Sequence, residues 1–189
     1  EVFYTLDDFR VKGTFFLNGE FIRRYPHKAK QIAFSGNECA SMFFSCADLV
    51  ENNFIVDKDF IQRGLARNED EFFTATGKEL SLYWHAPFYH SNQLMKTAGT
   101  EAGYNYVEVF NKFNDRITFE ESKENGKEYL NASSLVDSFA ENLYDGIVIP
   151  VSIGTMDGTR RDYLYEKLDL LISSILENGY EIVSLKDLH

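Results

Sequence analysis

Gly13-Thr14-Phe15-Phe16-Leu17-Asn18-Gly19 is a β-rich run bounded by glycines, and the chain beyond it turns helical before extending again. Pro26 suits a first helical turn, Gly36 closes that stretch, and Glu38–Ser41 reads as a second short strand. The alternation continues outward in both directions. Further strand signals fall at Val2–Leu6, Leu80–Trp84, Tyr104–Val109, Gly146–Ser152 and Glu181–Leu185. Between them, Asp57 to Thr76 carries apolar residues at Phe60, Ile61, Leu65, Phe72 and Phe73, with Gly77 as terminator. Asn92 to Ala102, Ser133 to Tyr144 and Arg161 to Glu177 also read as helices. The pattern predicts an α/β fold, a closed or nearly closed barrel of about seven mostly parallel strands. An open doubly wound sheet is the alternative, but no Gly-rich phosphate loop supports a nucleotide-binding version.

One spacing conflicts with that plan. Only about four residues separate Asp7-Asp8 from the strand that begins near Gly13, whereas parallel neighbours need a crossover of about a dozen residues. Either the two strands are antiparallel, or one of them is misassigned, or residues are missing after Asp8.

Composition narrows the function. The chain has 189 residues, 44% hydrophobic and 26% charged, enough for one globular domain with a real core. Lys and Arg number 19 against 30 Asp and Glu, a net charge of -11, and such a surface repels phosphate backbones, so nucleic acid is a poor partner. No apolar run approaches the ~18–20 residues of a transmembrane helix, which argues against an integral membrane segment. No basic region followed by an apolar one marks a signal peptide at the N-terminus. Aromatic content of 15% would suit neutral sugars as well as a core. Cys39 and Cys46 are open to three readings: a disulfide, paired ligands or two buried thiols.

In parallel α/β folds, ligands bind at the carboxyl ends of the strands. The residues following the predicted strands are Asp7 and Asp8; Asn18; Met42, Ser45 and Cys46; His85, Phe88, Tyr89 and His90; Asn111; and Ser152. Adjacent carboxylates facing a pocket supply a base and a metal ligand. The plainer alternatives are a turn or helix cap for Asp7-Asp8 and a core histidine for His85, stopped by Pro87.

The arrangement as a whole resembles the polysaccharide deacetylase family, the NodB-homology domains of carbohydrate esterase family four. Tyr4-Thr5-Leu6-Asp7-Asp8 is similar to the family's Thr-Phe-Asp-Asp-Gly motif, and Gly13 to Gly19 to its second strand, Ala-Thr-Phe-Phe-Val-Asn-Gly. Gly36 to Leu49 lies over Gly-His-Glu-Ile-Gly-Asn-His-Thr-Tyr-Ser-His-Pro-Asp-Leu, and Trp84-His85-Ala86-Pro87-Phe88-Tyr89 over Phe-Arg-Pro-Pro-Tyr-Gly. Ile147 to Thr155 falls on Ile-Ile-Leu-Leu-His-x-Gly-Thr, and Gly179 to Leu185 on the closing strand. The resemblance implies one NodB-homology domain over 1–189, a deformed (β/α) barrel that removes acetyl groups from N-acetylated polysaccharides or oligosaccharides. It implies zinc or another divalent metal in an active member, and an extracellular or cell-envelope location. The family carries a helix between its first two strands, which points to residues missing after Asp8.

Carried over residue by residue, the roles are kept at Asp7, the base, and Asp8, the first metal ligand. The two metal histidines are replaced by Met42 and Cys46, the base-orienting arginine by His85, and the general-acid histidine by Ser152. A thioether is a poor zinc ligand, and loss of the general acid alone costs about 10²–10⁴ in rate. A rebuilt zinc site from Asp8, Cys46 and His85 or His90 is a further alternative. Two expectations follow. The first is a degenerate, non-catalytic module, with no bound metal required, that binds glycan or supports a neighbour, with Trp84, Phe88, Tyr89 and Phe44 stacking on sugar faces. The second is an active metal-dependent hydrolase of N-acetyl groups with a remodelled site.

Overall fold

The computed structural model describes residues 1–125, 128–153, 160 and 162–188. Parts of the Glu120–Glu128 run and of the Ile147–Thr155 motif, and Arg161 at the start of the last predicted helix, lie outside them. In chain order the helices are α1 Val2–Asp8, α2 Gly19–Arg24, α3 Pro26–Ala33, α4 Lys58–Thr76, α5 Gln93–Glu101, α6 Phe119–Asn125, α7 Ala132–Ala140 and α8 Leu168–Glu177. The strands are β1 Thr14–Leu17, β2 Glu38–Ser41, β3 Tyr83–Trp84 and β4 Asn105–Tyr106. The contacts divide the chain into two compact units, Lys12–Glu108 and a second made of Glu1–Val11 with Val109–His189.

In the unit Lys12–Glu108 the four strands form one parallel sheet in the order β1-β2-β3-β4, with Thr14 opposite Glu38 and Leu17 opposite Ser41. The helices predicted here form where their caps dictate. Asn18, Asp57 and Asn92 each accept a hydrogen bond from a backbone N–H three residues on, at 2.8, 2.7 and 3.1 Å, and so start α2, α4 and α5. Gly77, at φ 71°, ends α4 in the left-handed conformation that only glycine adopts without penalty. Along α4, Ile61, Leu65, Asn68, Phe72 and Thr76 are buried at three- and four-residue spacing, the stripe that faces a core. Two apolar clusters result. One gathers Phe43, Leu49, Ile61, Leu65, Trp84, Met95 and Tyr104; the other gathers Leu17, Ile22, Ala29, Cys39, Phe72 and Leu80.

Close backbone approaches fix this packing. A Cβ on Gly64 would stand 2.0 Å from Cζ of Phe43, and one on Gly99 would stand 2.3 Å from Nε1 of Trp84. Glycine at both positions lets a fully enclosed aromatic ring lie directly on a helix. Asn68, fully buried, ties α4 to the strands by donating to Leu17 O at 2.9 Å and to Ser41 Oγ at 2.7 Å.

The second unit corrects the strand predicted at Val2–Leu6. That segment is helix α1, so the chain as given has no strand there. Its end is a Schellman turn, with Arg10 left-handed at φ 57°, Arg10 N–H donating to Asp7 O and Val11 N–H to Leu6 O, both at 3.0 Å. Gly146–Ser152 and Glu181–Leu185 are likewise not strands among the described residues. The first makes a single ladder-type bond, Phe110 N–H to Val148 O at 2.8 Å, and the second leads into a 3₁₀ turn at Leu185–Asp187. The core of this unit combines Leu135, Val136, Phe139, Leu164, Leu168, Leu171 and Ile172, with Phe110 and Phe113 packed around the ring of Phe139.

Candidate functional site

The C-terminal ends of β1, β2 and β3 carry the loops in which most predicted site residues stand. Met42 follows β2 directly, and its N–H donates to Leu17 O at 3.0 Å. Phe43 then takes φ 64°, a left-handed conformation that costs a non-glycine residue about 1–2 kcal/mol, and drives its ring into the core, where it is 1% exposed. The loop is held against the start of α2. Gly19 and Glu20 donate backbone N–H groups to Phe43 O at 3.3 Å and Phe44 O at 3.0 Å, and Cys46 N–H donates to Glu20 Oε2 at 3.1 Å. Phe44 lies under Arg67, whose guanidinium carbon is 3.7 Å from its ring centroid.

Cys39 and Cys46 are not joined in a disulfide. Cys39 is buried, and burial pushes its thiol up to about 11, against the pull of Lys78. Cys46 and Met42 are half-buried.

Beyond β3, His85 is 6% exposed and lies beside the ring of Phe16, with centroids 4.4 Å apart. Its Nδ1 faces Ala86 O at 2.8 Å, and since a carbonyl oxygen only accepts, the proton of that bond sits on Nδ1. Trp84 is fully buried, crossed edge-on by Tyr106 and pressed on Gly99, so it belongs to the core and presents no face to a sugar. That corrects its expected role in stacking. Phe88 and Tyr89 are half-buried and both left-handed at φ 62°, a strained turn that delivers His90.

Asp7 and Asp8 occupy the exposed C-terminal end of α1, in the other unit. Ser152 is half-buried in that unit, and its N–H donates to Oδ2 of Asp115 at 2.6 Å. Asp115 is fully buried, and among the described residues its Oδ1 has no hydrogen-bond partner. Burial pushes its carboxyl above the ordinary range, opposed by the Ser152 hydrogen bonds and by the charge of Arg160. Arg160, 2% exposed, gives its own donors to Asp162 O, Ile117 O and Leu130 O at 2.6, 2.9 and 2.6 Å. Asp115 and Arg160 were not among the expected site residues. Asp115 follows no predicted strand end, and nothing in its local pattern distinguishes it from a surface aspartate.

The donor set does not fit the metal that the family pattern implies. A thioether and a thiol stand where two imidazoles would, and zinc takes thiolate readily but not thioether. Among the described residues, the group of metal-ligating side chains that does converge is Asp48, Glu51 and His90, where one ligand atom of each lies within 4.8 Å of the others. Asp48 coincides with the Asp of the family's second motif; Glu51 carries no sequence signal.

Comparison with known proteins agrees with this fold. The model of the polysaccharide deacetylase family matches residues 1–107. Peptidoglycan-N-acetylmuramic acid deacetylase PdaA of Bacillus subtilis is 25% identical over 188 residues, and the chain spans 65% of its length. Among solved structures, a carbohydrate esterase family four pseudoenzyme of Bacillus anthracis, BA3943, superposes at a TM-score of 0.75 with 16% identity, over 99% of this chain and 58% of that one. The peptidoglycan N-acetylglucosamine deacetylase Bc1960 gives 0.76 with 19% identity, over 99% and 79%. The fold class is therefore the expected parallel α/β one of the deformed (β/α) barrel type, with four strands among the described residues in place of about seven. With its family model matched over more than half its length, the chain belongs to the polysaccharide deacetylase family.

Proposed function

We propose that residues 1–189 form one NodB-homology domain that binds an N-acetylated glycan of the cell envelope, or supports a neighbouring module, without deacetylating it. One observation carries the proposal: Met42, Cys46 and Ser152 stand where the family places two metal-binding histidines and a general-acid histidine. Without that acid, deacetylation falls by about 10²–10⁴, and without the metal it loses several kcal/mol more together with its activated water. The likeness in name to peptidoglycan deacetylases supports a peptidoglycan-type ligand, and the half-buried rings of Phe88 and Tyr89 remain as stacking surfaces.

The test is to incubate zinc-loaded protein with N-acetylated peptidoglycan fragments and with chitin oligomers, following both bound glycan and released acetate. Saturable binding with no acetate above the protein-free control is expected. Metal-dependent acetate release that disappears in Asp8→Ala would refute the proposal and establish the alternative, an active hydrolase with a remodelled site.

A further inference from the structure

Asp48 and Glu51 lie in the loop after β2, and His90 ends the turn after β3, so all three stand at the C-terminal ends of adjacent parallel strands. That is the side on which parallel sheets take their ligands. Their mutual arrangement is built from both sides. Asp48 Oδ1 accepts the N–H groups of Val50 at 2.9 Å and Glu51 at 2.8 Å, a short turn that fixes the carboxylate and brings Glu51 round beside it. This leaves Oδ2 to face His90 Nδ1 at 2.6 Å, and the left-handed pair Phe88 and Tyr89 sets where His90 emerges. Among the described residues, neither carboxylate is ion-paired with a lysine or arginine, and Asp48 faces the imidazole of His90. Two carboxylates and one imidazole thus converge with no fixed positive charge between them.

We propose that Asp48, Glu51 and His90 bind one divalent transition-metal ion of the zinc type, which staples the loop after β2 to the turn after β3. The donors are two oxygens and one imidazole nitrogen, a set zinc accepts, and the imidazole disfavours magnesium and calcium. Two donors around a tetrahedral zinc at about 2.0–2.1 Å stand roughly 3.3 Å apart, so the Asp48–His90 pair opens by about 0.7 Å as the ion enters. As the ion enters, Nδ1 gives up the proton it shares with Oδ2: a singly protonated ring takes it up again at Nε2 through solvent and stays neutral, a doubly protonated ring releases it, and in either case the Nδ1 lone pair becomes the bond to the metal. Glu51, exposed, closes the remaining distance by rotating its side chain. None of the residues of the family's metal site takes part, and the inference stands apart from whether the domain is catalytic.

The experiment strips the protein with a chelator, reloads it with zinc, removes excess by desalting, and counts metal by mass spectrometry. Wild type is compared with His90→Ala, Glu51→Gln and Asp8→Ala. About one zinc per chain is expected in wild type and in Asp8→Ala, with affinity reduced at least tenfold in His90→Ala and Glu51→Gln. Because His90 and Glu51 are partly or fully exposed, a thermal melt without metal that matches wild type separates loss of binding from loss of folding. Zinc held equally by all three variants, or by none of the four proteins, overturns the inference and leaves the non-catalytic reading untouched. Zinc kept by His90→Ala but lost from Asp8→Ala overturns both, since the ion would then occupy the family's own position.

Discussion

Gly64→Ala tests how the loop after β2 is held. The added Cβ would lie 2.0, 2.1 and 3.0 Å from Cζ, Cε2 and Cδ2 of Phe43, which is 1% exposed and packed within an apolar cluster. Overpacking a core costs about 1–3 kcal/mol, and displacing a buried phenylalanine outright about 3–5 kcal/mol, so a cost near 3 kcal/mol is reasonable for a clash this close. Against it, alanine in the interior of α4 regains about 1 kcal/mol of helix propensity. The net loss is about 2 kcal/mol, which for a chain of this size lowers the melting temperature by about 4–8 °C. Calorimetry or urea unfolding of the four proteins of a double-mutant cycle supplies the assay. In the Phe43→Ala background the clash partner is gone, so Gly64→Ala should change sign and stabilise by roughly the propensity gain of about 1 kcal/mol. A neutral or stabilising Gly64→Ala in wild type would refute the packing argument. So would an undiminished loss in the Phe43→Ala background.

Two other outcomes follow from the site. Burial raises the Asp115 carboxyl in the folded chain above its ordinary value of 3.8, so the folded state holds a proton that the unfolded chain releases; stability therefore declines as pH rises from about 4, by at most about 1.4 kcal/mol for each pH step of one, and levels off above the raised pKa. Asp115→Asn keeps an acceptor for Ser152 N–H and should flatten that decline in unfolding curves taken from pH 4 to 8; an unchanged slope would assign it to other groups. Restoring the three lost histidines together, as Met42→His, Cys46→His and Ser152→His, should raise zinc-dependent acetate release at least about 10²-fold over wild type, since a general acid alone is worth that much. No gain would mean that more than these three side chains separates the domain from catalysis.

What was legible in the sequence is what local chemistry decides. Asp57 and Gly77 bracket α4, Asn92 starts α5, and Glu38–Ser41 is β2 to the residue, because caps, a left-handed glycine and a short buried run each act within a few positions. Val2-Phe3-Tyr4-Thr5 has strand composition and yet forms α1. The segment makes the local bonds of a helix, Thr5 N–H to Glu1 O and Phe9 N–H to Thr5 O, both at 3.1 Å, in place of the ladder bonds its composition suggested. Gly146–Ser152 misled in another way. It is anchored through a buried side chain, Ser152 N–H on Asp115, and among the described residues it forms no continuous ladder. In the site, the family's positions were readable one by one from motifs, whereas the convergence of Glu51 with His90 depends on two loops meeting and has no signature along the chain.

The loop after β2 has a physical independence from any metal at its family positions. In a metal-organised loop the ion itself supplies part of the free energy that fixes its ligands, so losing them loosens the loop. Here other interactions supply that order: Phe43 buried against Gly64, Gly19 and Glu20 donating to the carbonyls of Phe43 and Phe44, Glu20 accepting from Cys46 N–H, and Arg67 over the ring of Phe44. The bonds named here involve the backbone of this loop and neighbouring side chains, and none uses the side chain of Met42 or Cys46. On the proposed reading, the absence of histidine at those two positions removes chemistry without removing structure, the condition under which a scaffold of this family would persist as a binding domain. The cost sits in the left-handed backbone of Phe43, about 1–2 kcal/mol, and burial of the same ring, worth about 1.5–3 kcal/mol, offsets it.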